Sequence, residues 1–158
     1  MRILICEDSE HNLVSAREFA EKVKGEHEVE IFGDRPGGAK RGIEGSKYDV
    51  VLTDLYMPSL PGREAEPIGL FIAMKALQYN VPVAIVTDGK THGKDRNIQC
   101  LDLFFLEGGN DRIRTFLVTP EPESTDPASA YYSPMKGITS EGKAIKDWEF
   151  CFRRMMER

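Results

Sequence analysis

The first part of the chain contains four short apolar runs that have the composition of β-strands. They span residues 2–6, 28–32, 49–53 and 81–86. The runs at 2–6, 49–53 and 81–86 stop abruptly at polar residues, as buried parallel strands do, whereas 28–32 alternates Val and Ile with Glu like a strand near a sheet edge. We therefore predict strands one to four at these positions.

Segments with helical spacing of apolar residues lie between and after these strands. They are residues 10–24, 36–45, 68–79 and 140–158, of which 36–45 is Gly-rich and weakly patterned. Strands that alternate with helices form right-handed βαβ units, which build a parallel sheet covered by helices on both faces. The predicted fold class is therefore α/β, a doubly wound five-stranded parallel sheet with functional groups at the carboxyl ends of its strands.

The chain after strand four is harder to divide, because a polar stretch, two apolar runs and a Pro-containing segment follow one another. The apolar run at residues 114–119 is the preferred fifth strand, and a strand that leads to Lys136 is the alternative. Residues 59–67, 88–97 and 120–136 are interpreted as insertions, which enlarge the loops after strands three and four and before the last helix.

Composition and charge narrow the possible classes of protein. A chain of 158 residues, 41% of them apolar, is long enough for one well-buried core, so we expect a single domain over residues 1–158. The net charge is −5, without a basic stripe, and no apolar run reaches the roughly 18 residues of a membrane span, so we expect neither nucleic-acid nor membrane binding. No signal peptide is recognisable, and the expected location is the cytoplasm. The three cysteines lack the spacing of a disulfide framework or zinc site.

Carboxylates directly follow two of the predicted strands. Glu7 and Asp8 come after strand one, and Asp54 comes after strand three. Three carboxylates at neighbouring strand ends repel one another unless a cation neutralises them, and an all-oxygen set suits Mg²⁺ or Mn²⁺. One carboxylate can then act as nucleophile toward a phosphoryl group whose charge the metal offsets. The Thr87 hydroxyl, one strand over, can donate a hydrogen bond to that group.

In this order, the three strand ends resemble those of the response-regulator receiver domains of two-component signalling. The resemblance lies in Ile-Cys-Glu7-Asp8, in Val-Leu-Thr-Asp54-Leu-Tyr56-Met-Pro and in Val-Ala-Ile-Val-Thr87, within about the first 88 residues. It implies a flavodoxin-like fold with strand order 2-1-3-4-5. It also implies that Asp54 is the phosphoacceptor, that Glu7, Asp8 and Asp54 hold the metal with the backbone carbonyl of Tyr56, and that Thr87 is the switch residue.

The resemblance weakens after strand four. The family ends strand five with a lysine that contacts the acceptor, and an aromatic switch residue precedes that lysine by three positions. On the preferred fifth strand, Phe116 takes the aromatic position and Thr119 stands in place of the lysine. In the alternative alignment, Lys136 takes the lysine position. Under the preferred alignment, we hypothesise that Lys90, Lys94 or Lys136 supplies the positive charge.

Two hypotheses of function follow. In the first, the chain is a phospho-aspartate switch: a histidine kinase, a phosphotransfer protein or a small phosphodonor phosphorylates Asp54 with Mg²⁺, and the output is contact with a downstream protein. Such a chain is not an enzyme beyond catalysing its own phosphorylation and dephosphorylation. In the second, which the missing lysine and the insertions favour, it is a pseudo-receiver, a constitutive interaction module without phosphorylation. A haloacid-dehalogenase-like phosphatase is disfavoured, because position 56 is tyrosine rather than a second aspartate.

Overall fold

A computed structural model describes residues 1–33, 36–60, 62–88, 112–118 and 133–157. The strands and helices in these described residues are, in chain order, β1 (Arg2–Cys6), α1 (Glu10–Lys22), β2 (Glu28–Phe32), α2 (Pro36–Glu44), β3 (Val50–Thr53), β4 (Met57–Pro58), β5 (Ala65–Glu66), α3 (Ile68–Gln78), β6 (Val83–Asp88), β7 (Ile113–Val118), β8 (Met135–Ile138), β9 (Ala144–Lys146) and α4 (Trp148–Met156). Within the same ranges, no helix has the length and apolar character needed to cross a membrane.

Five of the strands form one parallel sheet in the order β2-β1-β3-β6-β7. These are the first to fifth strands of the sheet along the chain, so the predicted order 2-1-3-4-5 is confirmed. The register aligns Cys6 of β1 with Thr53 of β3, and Thr53 with Ile85 of β6. The carboxyl ends of the three central strands therefore lie side by side.

Apolar side chains cover both faces of the sheet, which explains why its central strands are continuous apolar runs. On one face, Leu4 and Val51 pack with buried residues of α2 and α3. On the other face, Ile5 and Leu52 pack with buried residues of α1 and α4. Successive residues of a strand point to opposite faces, so each central strand contributes to both layers.

The fifth strand of the sheet is β7, and the preferred assignment of residues 114–119 is confirmed to within one residue. In the predicted insertion 59–67, the two-residue strand β5 lies antiparallel to β4. The insertions at 88–97 and 120–136 lie almost entirely outside the described residues.

The prediction of one helix over residues 140–158 is wrong in its first part. β8 and β9 form an antiparallel hairpin whose turn includes Gly142 at a φ of +80°, a conformation that favours glycine. The last helix begins only at Trp148. The Asp147 carboxylate caps it by accepting a hydrogen bond from the Phe150 amide. The chain therefore enters its last helix almost directly from a strand.

Candidate functional site

The carboxyl ends of β1 and β3 bring three acidic side chains together. One carboxylate oxygen from each of Glu7, Asp8 and Asp54, here called the acidic cluster, lies within 4.8 Å of the other two. The backbone fixes this arrangement, since the Asp54 amide donates a hydrogen bond to the Cys6 carbonyl at 2.8 Å. The side chains that the sequence placed at neighbouring strand ends are thus neighbours in space.

A buried lysine that sequence reasoning did not select lies against the acidic cluster. The Lys146 Nζ is 2.6 Å from Glu7 Oε2 and 2.9 Å from Asp54 Oδ1, and its side chain is 1% exposed. Lys146 is the last residue of β9, the second strand of the hairpin. In the described part of the chain, the positive charge paired with the acidic cluster therefore comes from the hairpin and not from β7.

The lysines considered from the sequence lie elsewhere. Lys136 is at the surface, where its side chain is 49% exposed and forms an ion pair with Glu18 of α1. Lys90 and Lys94 lie outside the described residues. Of the lysines that the structure places, Lys146 is the one paired with the acidic cluster.

Hydrogen bonds within the protein engage both oxygens of Glu7. Oε1 accepts from the Ser9 hydroxyl at 2.7 Å, the Ser9 amide at 2.9 Å and the Asp8 amide at 3.1 Å, and Oε2 pairs with the lysine. Asp54 Oδ1 accepts from the Leu55 amide at 2.7 Å as well as from the lysine. The oxygens best placed to hold a cation are therefore the Asp8 carboxylate and Asp54 Oδ2, while Glu7 anchors the lysine.

Burial dominates the protonation of this site. It raises the pKa of the Asp54 carboxyl to about 7, against the lowering effect of the Lys146 charge, and the Glu7 charge raises it as well. Burial also raises the pKa of Asp8, and the Glu7 charge acts in the same direction. For Lys146, burial lowers the pKa, but the charges of Asp54 and Glu7 outweigh burial and the net shift is upward. The lysine therefore stays charged, and a further cation near Asp8 and Asp54 would relieve the crowding of the acids.

Two solved structures are similar to this chain at low sequence identity. The response regulator domain of Thermotoga maritima CheB is 20% identical, over 77% of this chain and 79% of its own, with a TM-score of 0.48. A fusion protein that carries the yeast Spc42 trimeric coiled coil is 21% identical, over 73% of this chain and 68% of its own, with a TM-score of 0.46. No family model and no curated protein matches the chain.

The strand order of the parallel sheet and the helices on both of its faces decide the fold class. This is a flavodoxin-like topology. The acidic cluster lies at the carboxyl ends of its first and third strands, the edge where doubly wound sheets place their functional groups.

In this fold, Thr87 lies near the end of β6, the strand next to β3, and it is fully buried. Its hydroxyl has no hydrogen-bond partner among the described residues. Burying a hydroxyl without a partner costs about 1–3 kcal/mol, and such a group in a native structure calls for an explanation. Thr87 therefore has an unused hydrogen bond, which its predicted role as a switch residue requires.

Of the remaining predicted positions, Phe116 and Tyr56 lie within the described residues. Phe116 of β7 pairs with Val86 of β6, is half-buried, and has its ring centroid 6.3 Å from that of Phe150. Tyr56 is half-buried and packs on the core beneath α3. Thr119 lies outside the described residues. The switch role of Phe116 and the metal-ligand role of the Tyr56 carbonyl stay predictions.

The start of α3 contacts the backbone of the loop that carries Asp54. The Gly69 amide donates to the Leu55 carbonyl at 2.9 Å, and a Cβ at Gly69 would lie 1.8 Å from the Asp54 carbonyl oxygen. The two backbones approach this closely because glycine has no side chain. The loop is thus held between β3 and α3, which restricts the position of the Asp54 carboxylate.

A local signal in the sequence could have located Lys146. Asp147 is a preferred N-cap residue, and Glu149 places an acid in the first turn of a helix that starts at Trp148. Starting the helix there leaves Lys146 directly in front of the cap, at the end of a short stretch that can form a strand. The apolar positions from Ala144 onward concealed this boundary, because they continue the helical stripe backward.

Proposed function

We propose that this chain is a phospho-aspartate signalling switch, a single receiver domain that accepts a phosphoryl group on Asp54. The observation that carries the proposal is the buried Lys146 ammonium, 2.9 Å from the Asp54 carboxylate inside the acidic cluster. A fixed cation in a site largely shielded from water stabilises the charge of an incoming phosphoryl group without having to reorganise. The Thr87 hydroxyl, which has no hydrogen-bond partner among the described residues, supports the same function.

The donor set fits Mg²⁺, or Mn²⁺, as the metal of this site. Asp8 and Asp54 would hold the ion, and the predicted ligand set adds the Tyr56 carbonyl. Glu7, the third acid, adds negative charge but has both oxygens engaged. Oxygen donors are the ligands that Mg²⁺ prefers, and carboxylates are prominent among them. When bound, the metal supplies charge that offsets the phosphoryl oxygens.

In the proposed transfer, the Asp54 carboxylate attacks the phosphorus of the donor. A bond from Asp54 to phosphorus forms while the bond from phosphorus to the donor's nitrogen or oxygen breaks, and its electron pair leaves with the donor group. Lys146 balances charge beside the new acyl phosphate. Thr87 then donates its hydrogen bond to a phosphoryl oxygen, which favours one arrangement of the surface around β6 and β7 over another.

The proposed partners follow from this chemistry. A histidine kinase, a phosphotransfer protein or a small phosphodonor supplies the phosphoryl group, and a downstream protein reads the changed surface. The chain modifies itself and acts on no separate substrate. The cytoplasmic location expected from the sequence fits these partners, and neither nucleic acid nor membrane takes part.

The pseudo-receiver hypothesis drew its main support from the lysine that the fifth strand lacks. Lys146 approaches the acidic cluster from the hairpin instead and forms ion pairs with Glu7 and Asp54. This geometry favours the active switch.

The test is the intact mass of the protein after incubation with acetyl phosphate, with and without Mg²⁺, followed by a rapid quench. Wild type is expected to gain about 80 Da, the mass of one phosphoryl group, only when Mg²⁺ is present. Asp54→Asn is the matched control and is expected to gain nothing. An equal gain in Asp54→Asn would mean that another residue is phosphorylated. No gain in wild type would favour the pseudo-receiver hypothesis.

A further inference from the structure

The position of the Lys146 side chain depends on how the hairpin docks on α1, because Lys146 is not part of the parallel sheet. Two side chains of α1 hold its backbone. Asn12 Oδ1 accepts a hydrogen bond from the Lys146 amide at 2.9 Å, and the Ser15 hydroxyl donates to the Lys146 carbonyl at 2.8 Å. The helix thus fixes the lysine backbone on both sides of its Cα atom.

The same asparagine also connects to the acid that binds the lysine. Asn12 Nδ2 donates to the Ser9 hydroxyl oxygen at 3.0 Å, and that hydroxyl donates to Glu7 Oε1 at 2.7 Å. The other Glu7 oxygen, Oε2, accepts from Lys146 Nζ at 2.6 Å. Glu7, Ser9, Asn12 and Lys146 therefore form a closed circle of contacts, here called the buried hydrogen-bond ring.

Three members of this ring, Glu7, Asn12 and Lys146, are shielded from water, and Ser9 is half-buried. Asn12 is 3% exposed and Glu7 is fully buried, and Ser15, beside the ring, is also 3% exposed. The buried Trp148 indole donates a hydrogen bond to the backbone carbonyl of Asn12 at 3.1 Å. Inside such a site a hydrogen bond is stronger than in water, and losing one partner leaves the other unsatisfied. The ring therefore restrains the lysine more tightly than a surface contact would.

The position of Asn12 calls for an amide side chain. It must accept from the Lys146 amide and donate to Ser9 at the same time, and an amide has both an acceptor oxygen and a donor nitrogen. A carboxylate lacks the donor, and an aliphatic side chain lacks both. The Asn12 side chain contacts Lys146 and Ser9. Its effect on Asp54 therefore passes through Lys146 and Glu7.

We propose that Asn12 and Ser15 are positioning residues that set the Lys146 ammonium against Asp54, and that the hairpin thereby supplies the site's cation through α1. The expected effect on phosphorylation rests on the proposed phosphoacceptor role of Asp54. The position of the lysine itself can be measured without phosphorylation. The ammonium group next to Asp54 belongs to the hairpin, and two buried hydrogen bonds with α1 hold the Lys146 backbone in place.

The test measures the reactivity of the Lys146 amine toward an acetylating reagent, read by peptide mass spectrometry. In wild type, Lys146 is expected to react slowly because it is buried and paired. Asn12→Ala is expected to speed its labelling about tenfold, the order of effect of one lost hydrogen bond, in protein whose circular dichroism shows it still folded. The rate of Asp54 phosphorylation by acetyl phosphate is measured on the same samples and is expected to fall.

Glu18→Ala is the matched control, because it removes the ion pair with Lys136, a contact between the same helix and the same hairpin but at the surface. It is expected to change neither rate. Asn12→Asp keeps the acceptor for the Lys146 amide and loses the donor to Ser9, so its labelling rate is expected to lie between those of wild type and Asn12→Ala.

Unchanged labelling of Lys146 in folded Asn12→Ala would overturn the inference, whatever phosphorylation does. Faster labelling in a protein whose wild type gains no phosphoryl group would support the positioning role and reject the proposed function, so the two failures are distinguishable. If Asn12→Ala does not fold, Ser15→Ala removes one hydroxyl at the Lys146 carbonyl. A rise of about threefold in labelling is then expected, and no rise overturns the inference.

Discussion

Two regions of the molecule supply the opposite charges of the candidate site, and they are built in different ways. The acids stand at the ends of β1 and β3, where the register of a buried parallel sheet fixes them. The lysine stands at the end of a short antiparallel hairpin, which α1 holds through Asn12 and Ser15. The first region is positioned by backbone pairing and the second by side-chain contacts.

This difference determines how each region is expected to respond to mutation. The register of a sheet is shared by many backbone hydrogen bonds, so a single substitution rarely shifts it. The hairpin is held on α1 by buried hydrogen bonds between Lys146 and the side chains of Asn12 and Ser15. Each of these bonds is lost when a single side chain is replaced. Substitutions that act on the lysine are therefore expected to cost more than substitutions of similar size elsewhere on the hairpin.

The largest effect is expected from Lys146→Met, which removes the cation but keeps much of the volume. It leaves the buried Glu7 carboxylate without its ion-pair partner, and breaking a buried pair in this way costs about 3–5 kcal/mol. The free energy of unfolding, measured in urea, is expected to fall by that amount. Lys136→Ala, on the same hairpin but in a surface ion pair, is expected to cost at most about 1 kcal/mol. Equal losses in the two variants would mean that the buried pair has no special weight.

A smaller effect is expected from Gly69→Ala, which acts on the sheet side of the site. The added Cβ would meet the Asp54 carbonyl oxygen, so either α3 or the acceptor loop must move. Overpacking of this kind costs about 1–3 kcal/mol, which exceeds the gain in helix propensity of about 1 kcal/mol. A lower urea midpoint with weaker Mg²⁺ binding by calorimetry is expected. Gly45→Ala, whose added Cβ would make only ordinary contacts, provides the comparison, and an unchanged midpoint in Gly69→Ala would show that the loop yields freely.

A further expected effect concerns pH. Burial raises the pKa of the Asp54 carboxyl from its ordinary value of 3.8 to about 7. The folded protein therefore binds the carboxyl proton more tightly than the unfolded chain does. Its contribution to stability is full below about pH 4 and is lost as the pH rises through about 7. In metal-free protein, thermal denaturation is expected to show a larger decline in wild type than in Asp54→Asn, in which the raised pKa of Asp8 still contributes. Stabilisation by Mg²⁺ is expected to be larger at pH 8 than at pH 5.5, and the opposite order would contradict the raised pKa.

The sheet side of the site could be predicted because its signals are local. Each central strand is a continuous apolar run, and the residue at which it stops is the residue that faces the site, as with Asp54 after Thr53. The alternation with helices indicated a parallel sheet, and the resemblance to receiver domains implied the order of its strands. The lack of a hydrogen-bond partner for the Thr87 hydroxyl in the described part of the chain could not be predicted, because it depends on what the fold places around it.

The hairpin side escaped prediction for a different reason. Its strands have four and three residues, too few to show a period, and the residues of β9 continue the apolar stripe of the following helix. Lysine is also a residue type that is rarely buried, and nothing in its immediate sequence indicates a partner 139 positions away. Tertiary contacts decide both the hairpin and the lysine.

The hairpin also bears on how relatives of this chain should be sought. A search pattern that requires the lysine at the end of the sheet's fifth strand would pass over any sequence built in this way, or would sort it among proteins that have lost their activity. A pattern anchored instead on the cap of the last helix, with a lysine immediately before Asp147 and an asparagine five positions after Glu7, would detect it. The position of the lysine in the sequence can differ between proteins of this kind, whereas its contact with the Asp54 carboxylate must be kept.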